Sequence, residues 1–363
     1  MIKNKSFKVC FIIFALSVLI LLFCILFDSF AEAYSVTVSS FLRYSLSLLT
    51  GFFGFSLAEI IVLLLPPLVV LLILVLIVCL IKNRKMLSHV LRFMLCTVLV
   101  IVSAFIHIFG VCYFRKPIEH NMNLDRKKLT RNEMYQSMSF IKDSLENSLS
   151  DIVFKSDGSS VNPRSFLQTD RLIDEGYKKL IKEYPFISDI TAKAKQVLMS
   201  EPMTYTHISG IYFPFTGEAN VNNNYPDYVV VYSTAHEKAH QRGIAGEDDA
   251  NFVAFLALMY SDDDYLRYSA LMSMYDYYLD SIYKVDREMY EYFLKSSHKS
   301  VYGEMYAYSV FFDKYRDSSA SKVADAVNDS YIKVMGDSEG VNSYGNVVEL
   351  VSAYLDKNNG LPN

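Results

Sequence analysis

Three unbroken apolar runs dominate the first third of the chain: Val9–Phe27, Ile60–Ile81 and Phe93–Phe114. Each is close to the roughly 20 residues that a helix needs to cross a bilayer, and none carries a formal charge. The first run competes with a secretory leader, because Lys3, Lys5 and Lys8 precede it and Ala31-Glu32-Ala33 follows. Its apolar stretch is longer than a usual leader core and two further spans follow, so a retained anchor is expected. Pro66-Pro67 inside the second run predicts a kink, tolerated where neighbouring helices take up the freed carbonyls. A fourth apolar stretch, Ser45–Ser56, is short and broken by glycine, and reads as an interfacial or re-entrant piece.

The pattern changes after residue 114. Thr130-Arg131-Asn132-Glu133 reads as a capping box, and Met134, Met138, Ile141, Leu145 and Leu149 then recur at helical spacing. Further helices are expected over about 165–183 and 190–199. Between 205 and 232 the pattern turns to short β-like runs, Ile208–Phe215 and Tyr228–Tyr232, separated by Gly217, a polar Asn220–Asn224 stretch and Pro226. From Thr234 onward helical periodicity returns over about 234–242, 245–260, 264–284, 286–296, 300–316, 321–335 and 343–356. The fold class expected is mainly α: transmembrane helices in 1–114, then a helical domain in 115–363 with a small β element just before one of its helices.

Composition sharpens this division. Residues 1–114 hold eight Lys/Arg and three acids, a net of +5, whereas 115–363 carries 27 basic and 36 acidic residues, a net of −9. So acidic a domain is a poor binder of a phosphate backbone, and nucleic acid is excluded as a partner. All five cysteines lie before residue 115, which removes disulfides, Cys-ligated zinc and a Cys nucleophile from the rest. Basic residues also set the expected orientation. Lys3, Lys5 and Lys8 precede the first span, and Lys82, Arg84, Lys85 and Arg92 fill the loop between the second and third, whereas 28–59 has only Arg43. The N-terminus and the 83–92 loop are therefore expected in the cytoplasm and the large domain outside it, in a multi-pass cell-membrane protein. Arg115, Lys116, Arg126, Lys127, Lys128 and Arg131 run against that assignment, but long translocated domains obey the rule poorly.

Candidate chemistry concentrates in Ser233-Thr234-Ala235-His236-Glu237-Lys238-Ala239-His240. Residues four apart on a helix share a face, so His236 and His240 can aim their imidazoles at one Zn2+. Glu237 stands beside them, positioned to take a proton from water activated by the ion. A catalytic tetrahedral zinc needs a third protein ligand. On an unbroken helix Glu247 would sit about 10 Å beyond His240 and could not reach. Gly243 offers an exit, since glycine takes the left-handed conformation that ends helices. A reversal over 241–246 would start a new helix near Ala245 with Glu247 in its first turn, aimed back at the histidines. Asp249 is the alternative third ligand.

HExxH followed by Glu247-Asp248-Asp249-Ala250-Asn251 resembles the gluzincin metallopeptidases. That resemblance implies a zincin-like domain, Glu247 as third ligand and Asn251 as the partner that orients a ligand imidazole. The chain also resembles, over nearly its whole length, the bacterial domain-of-unknown-function 3810 family. The shared features are Phe55–Glu59, Ser209–Asn222, the HEKAHQRG stretch, Glu247–Phe252, Asn328–Lys333 and Gly340–Gly345. It implies a zinc-peptidase fold and names no substrate.

Other site residues are expected from general chemistry. The β run Ile208–Asn222 could bind an extended peptide along an edge, with Glu218 and Asn220 reading the substrate. An oxyanion donor is expected from among His207, Tyr331 and Tyr344. The resulting expectation is a membrane-anchored zinc metallopeptidase acting on a peptide or protein, with Glu237 as general base and the lipid bilayer as a second partner. One competing reading is an intramembrane protease, but residues 234–251 are too polar for lipid. The other is a non-catalytic envelope scaffold or binding protein with a structural or vacant metal site, which has no use for an acid between its ligands.

Overall fold

In the computed structural model the description covers residues 5–334 and 347–362, the side chains of 327–334 excepted. The first and second apolar runs form helices α1 (Lys5–Leu26) and, after α2 (Asp28–Tyr34) and α3 (Ser40–Thr50), α4 (Leu57–Lys82). The third forms α5 (Arg84–Ile108) and ends in a 3-10 turn, Gly110–Phe114, so its last residues leave the α-helix. These three helices are long and apolar enough to cross a membrane. The chain is a membrane protein by that measure. Helix α4 runs through Pro66 and Pro67, and α5 lies against α1 and α4.

The rest is mostly helical. A short α6 (Ile118–Asn121) leads to α7 (Arg131–Ser148), which opens on the capping box read in the sequence, with Thr130 and Glu133 bonding each other's backbone. Then come α8 (Phe166–Glu183), strand β1 (Lys195–Gln196), α9 (Ser200–Thr204), β2 (Gly210–Phe213) and β3 (Glu218–Val221). Helices α10 (Asp227–Gln241), α11 (Glu247–Met259), α12 (Asp264–Val285), α13 (Arg287–Ser296), α14 (Lys299–Asp313), α15 (Ser319–Val334) and α16 (Val347–Asn358) complete the chain. The sheet order is β1-β3-β2, with β3 antiparallel to β2 and parallel to β1, so β2 is an edge strand. Helix α11 is apolar on every side and every residue from Ala250 to Met259 is buried, which makes it the centre of the core.

Two expected elements fall differently. Tyr228–Tyr232 belongs to α10, not to a strand: Pro226 precedes the helix and Asp227 opens it, a proline and an acid where a helix start favours them. The 190–199 stretch is not helical. It runs as loop into β1, where Lys195 is buried and its ammonium bonds the Thr50 and Phe53 carbonyls. That contact reveals a joint that composition had hidden. Glu218 on β3 caps the first turn of α4 by accepting from the Leu57 (3.2 Å) and Ala58 (2.9 Å) amides. In return Glu59 on α4 accepts from the Leu198 and Met199 amides at 3.0 and 2.7 Å.

Helix α10 is fixed from its rear by buried charge. Lys238 and Arg242, four apart, meet Asp170 and Asp174, four apart on α8. Lys238 pairs with Asp170 and, at 2.9 Å, with Asp174. Arg242 pairs with Asp174 at 2.7 Å while stacking 3.9 Å over the Tyr177 ring. Breaking one partner of a buried pair leaves the other charge stranded, which costs about 3–5 kcal/mol. Asp174→Ala strands part of two cations at once, and is expected to lower the thermal unfolding midpoint in detergent by at least that equivalent, with Asp174→Asn in between. An unchanged midpoint would contradict the network's role.

Candidate metal centre

The rear charge network turns His236, Glu237 and His240 towards β2 and α11. The chain then leaves α10 through Gly243, whose φ of +87° is the left-handed conformation expected of it. Gly246 caps α11 and Glu247 opens it. The inward nitrogens Nε2 of His236 and His240 lie 3.0 Å apart, and Glu247 Oε2 lies 3.3 and 3.7 Å from them. All three ligand atoms fall within 4.8 Å of one another. Asp249, the alternative third ligand, instead lines a cavity of about 520 Å3 with Arg115, Arg126 and Asp248.

The outer ring nitrogens decide whether a cation fits. His240 Nδ1 meets the Ile244 carbonyl at 2.7 Å, and a carbonyl only accepts, so the proton sits on Nδ1. His236 Nδ1 meets Asn251 Oδ1 at 2.8 Å, and Tyr277 donates its hydroxyl to the same oxygen at 3.0 Å. With His240 neutral, both Nε2 atoms present lone pairs to each other and to the Glu247 carboxylate. Without an ion, a proton on His240 Nε2 must hold these atoms together; once it leaves, two imidazole lone pairs and a carboxylate oxygen converge on one point, so the donor set fits a divalent ion of the zinc type.

The same geometry governs protons. Burial disfavours charge on His240, but the Glu247 carboxylate outweighs it and pushes the imidazole up to about 9. Burial likewise opposes ionisation of Glu247, and the histidines still hold it well below the usual carboxylate range. Glu237 is buried, and burial raises its carboxyl above its ordinary value against the pull of the two histidines. A main-chain hydrogen bond from Tyr212 on β2 reaches it. Space for that carboxylate exists because residue 210 is glycine: a Cβ there would stand 2.6 Å from Glu237 Cγ.

Residues from α3 and from the stretch just after α5 complete the turn. Arg43 on α3 is wholly buried and has its Nε on the Gln241 carbonyl (3.1 Å), while its terminal nitrogens reach Ile108 O, Ser35 O and Ser188 Oγ. Arg115 donates to the Gly243 carbonyl at 2.9 Å and forms a bidentate pair with Glu32. Phe109, just past α5, lies edge-on to the His240 ring with centroids 6.1 Å apart. Neither Arg43, Gly210 nor Tyr277 stood out in the sequence; Arg43 was visible as a lone cation in an apolar loop, the other two carried no signal.

Three expected site residues do other work. Glu218 is buried and caps α4, and Asn220 is buried with Oδ1 accepting from Ser56 Oγ at 2.6 Å; both are spent on the joint with α4 and cannot read a substrate. His207 bonds the Tyr315 carbonyl at 2.8 Å and packs 4.7 Å from the Phe312 ring, so it is no oxyanion donor. The Tyr331 side chain and all of Tyr344 lie outside the described residues.

The family described as a protein of unknown function (DUF3810) matches residues 34–352. The chain belongs to that family. No curated protein and no solved structure matches it. The matched stretch takes in α3, with Arg43, and the whole His236–Glu247 turn, so the joint and the donor set both lie inside it.

A pH dependence follows. In the ion-free protein His240 holds a proton at pH 7, and an ion must displace it. Metal binding is therefore expected to release about one proton per ion at pH 7, and affinity should fall roughly tenfold for each unit of pH lost below about 9. Calorimetry in two buffers of different protonation enthalpy measures this; binding without proton release would contradict it.

Proposed function

We propose that this protein is a membrane-anchored, zinc-dependent peptidase. The observation that carries the reading is Glu237: a buried acid next to three converging ligand atoms, aligned by a main-chain bond to an edge strand. A purely structural ion gains nothing from such an acid. Zn2+ bound to His236, His240 and Glu247 would supply Lewis acidity, polarising a carbonyl and easing deprotonation of water. Glu237 takes that proton and later delivers it to the leaving amine, a role suited by its raised proton affinity. Asn251 and Tyr277 keep the His236 ring in orientation, and the Ile244 carbonyl does so for His240. Beside the Tyr212 amide that holds Glu237, the outer edge of β2, unpaired with any strand among the described residues, offers main-chain groups to an extended peptide. The gluzincin likeness of the His236–Asn251 stretch supports the same reading.

The large domain is proposed to face away from the cytoplasm. Lys82, Arg84, Lys85 and Arg92 crowd the α4–α5 loop, the side expected inside. The single cation of the opposite loop, Arg43, is buried in protein, which leaves that loop without an exposed basic residue. The 28–59 loop and the large domain also bond to each other, as a shared side requires.

Glu237→Gln in the full-length protein is expected to keep stoichiometric zinc and the wild-type melting behaviour while cutting peptide hydrolysis by about 10³-fold or more, on the scale of lost acid–base catalysis. Gly210→Ala should keep zinc and lower activity in the same direction, because the new Cβ displaces the Glu237 side chain. Full hydrolysis by Glu237→Gln would refute the mechanism, and a protein that holds zinc without cleaving any peptide would point to a structural site.

A further inference from the structure

Helix α3 is amphipathic the wrong way round for water. Phe41 (68% exposed), Leu48 (54%), Leu49 (62%) and Phe52 just beyond the helix (82%) form one outward stripe at positions i, i+7, i+8 and i+11. Its buried polar residues, Arg43, Ser47 and Thr50, point inward. Arg43 reaches the Gln241 carbonyl, Ser47 donates to Gly217 O at 2.8 Å, and Thr50 donates to Thr216 O at 3.0 Å. A helix that turns its greasy side out and its polar side to protein is built for a lipid environment. The stripe continues into α4 through Phe53 and Phe55. Beside the first turn of α4, the large domain offers its own apolar tip, Leu198, 83% exposed, held there by Glu59.

This surface lies directly against the metal centre. The groups that α3 holds on its inner face are the end of the HExxH helix and the turn between β2 and β3. One helix diameter, about 10 Å, therefore separates lipid from the residue after His240. From the α5 side the approach is as close: Phe109 lies edge-on to His240, and Phe105 within α5 lies 6.4 Å from the tilted ring of Phe215, which follows β2.

The geometry points to a substrate class: polypeptide anchored in the same bilayer and cut close to its anchor. The inference rests on the peptidase reading and adds the location of the scissile bond. At about 3.3 Å per extended residue, a chain leaving the hydrocarbon covers 10–15 Å in roughly three to five residues. A bond that near an anchor is delivered to the site by tethering alone, at the high effective concentration of a linked partner. Free soluble chains lack that delivery, and bonds far along a tethered chain spend most of their time away from the membrane surface.

The test uses zinc-loaded full-length protein in liposomes with three randomised peptide pools. One pool begins about 4 residues from a transmembrane anchor, one about 30 residues from the same anchor, and one has no anchor. The expected result is cleavage of the near pool at least tenfold faster than the distant pool, abolished in Glu237→Gln. Equal or faster cleavage of the distant or free pool would overturn the substrate assignment while the peptidase reading stands. No cleavage in any pool would overturn both.

Discussion

Gly243 takes the left-handed conformation, and the whole candidate site depends on that one reversal. Without it Glu247 would continue along the α10 axis, away from the histidines. With it, α11 begins beside them and its first residue joins their inward nitrogens. The reversal is gripped from both sides by two cations, Arg43 on α3 and Arg115 just past the 3-10 turn that follows α5. Arg43 packs so tightly beneath Gly243 that any side chain there would collide with its guanidinium, and Arg115 takes the Gly243 carbonyl. Both arginines also act on main-chain carbonyls at or just past the end of α10, where cations suit the helix dipole. The segments that link and follow the candidate spans are thus structural components of the candidate metal centre.

The opposite face of α10 supplies the second constraint. Two cations and two acids, each pair four residues apart, lock its rotation about its axis, so the imidazoles cannot swing away from Glu247. A buried network of this kind contributes less to net stability than its short distances suggest, because desolvation offsets much of the attraction. Its value lies in orientation. Together with the Ile244, Asn251 and Tyr277 bonds to the imidazoles, it leaves the donor set preorganised around a gap that a cation would close.

Local signals were legible and long-range ones were not. The three spans, the capping box at Thr130, the exit at Gly243 and the position of Glu247 at the next helix start all follow from nearest neighbours along the chain. The Tyr228–Tyr232 run looked like a strand because β-branched and aromatic residues favour strands, yet burial against the core made it the start of α10. The 190–199 stretch had helical spacing but was taken into the joint by the Lys195 contacts. Glu218 and Asn220 read as substrate groups because polar residues near a metal motif invite that reading. Their actual partners, Ala58 and Ser56, lie some 160 residues away in sequence. No pattern within one chain segment announces such a pairing. The outward stripe of α3 was visible as an apolar stretch, but its meaning came only once Arg43, Ser47 and Thr50 were seen to face protein.

The most direct test of the account is zinc-edge X-ray absorption on the full-length protein and on Glu247→Ala. The account predicts one ion per chain, bound by two imidazole nitrogens and a carboxylate oxygen, with that oxygen lost and affinity reduced in the variant. Absence of stoichiometric metal, or a ligand shell that Glu247→Ala leaves unchanged, would contradict it.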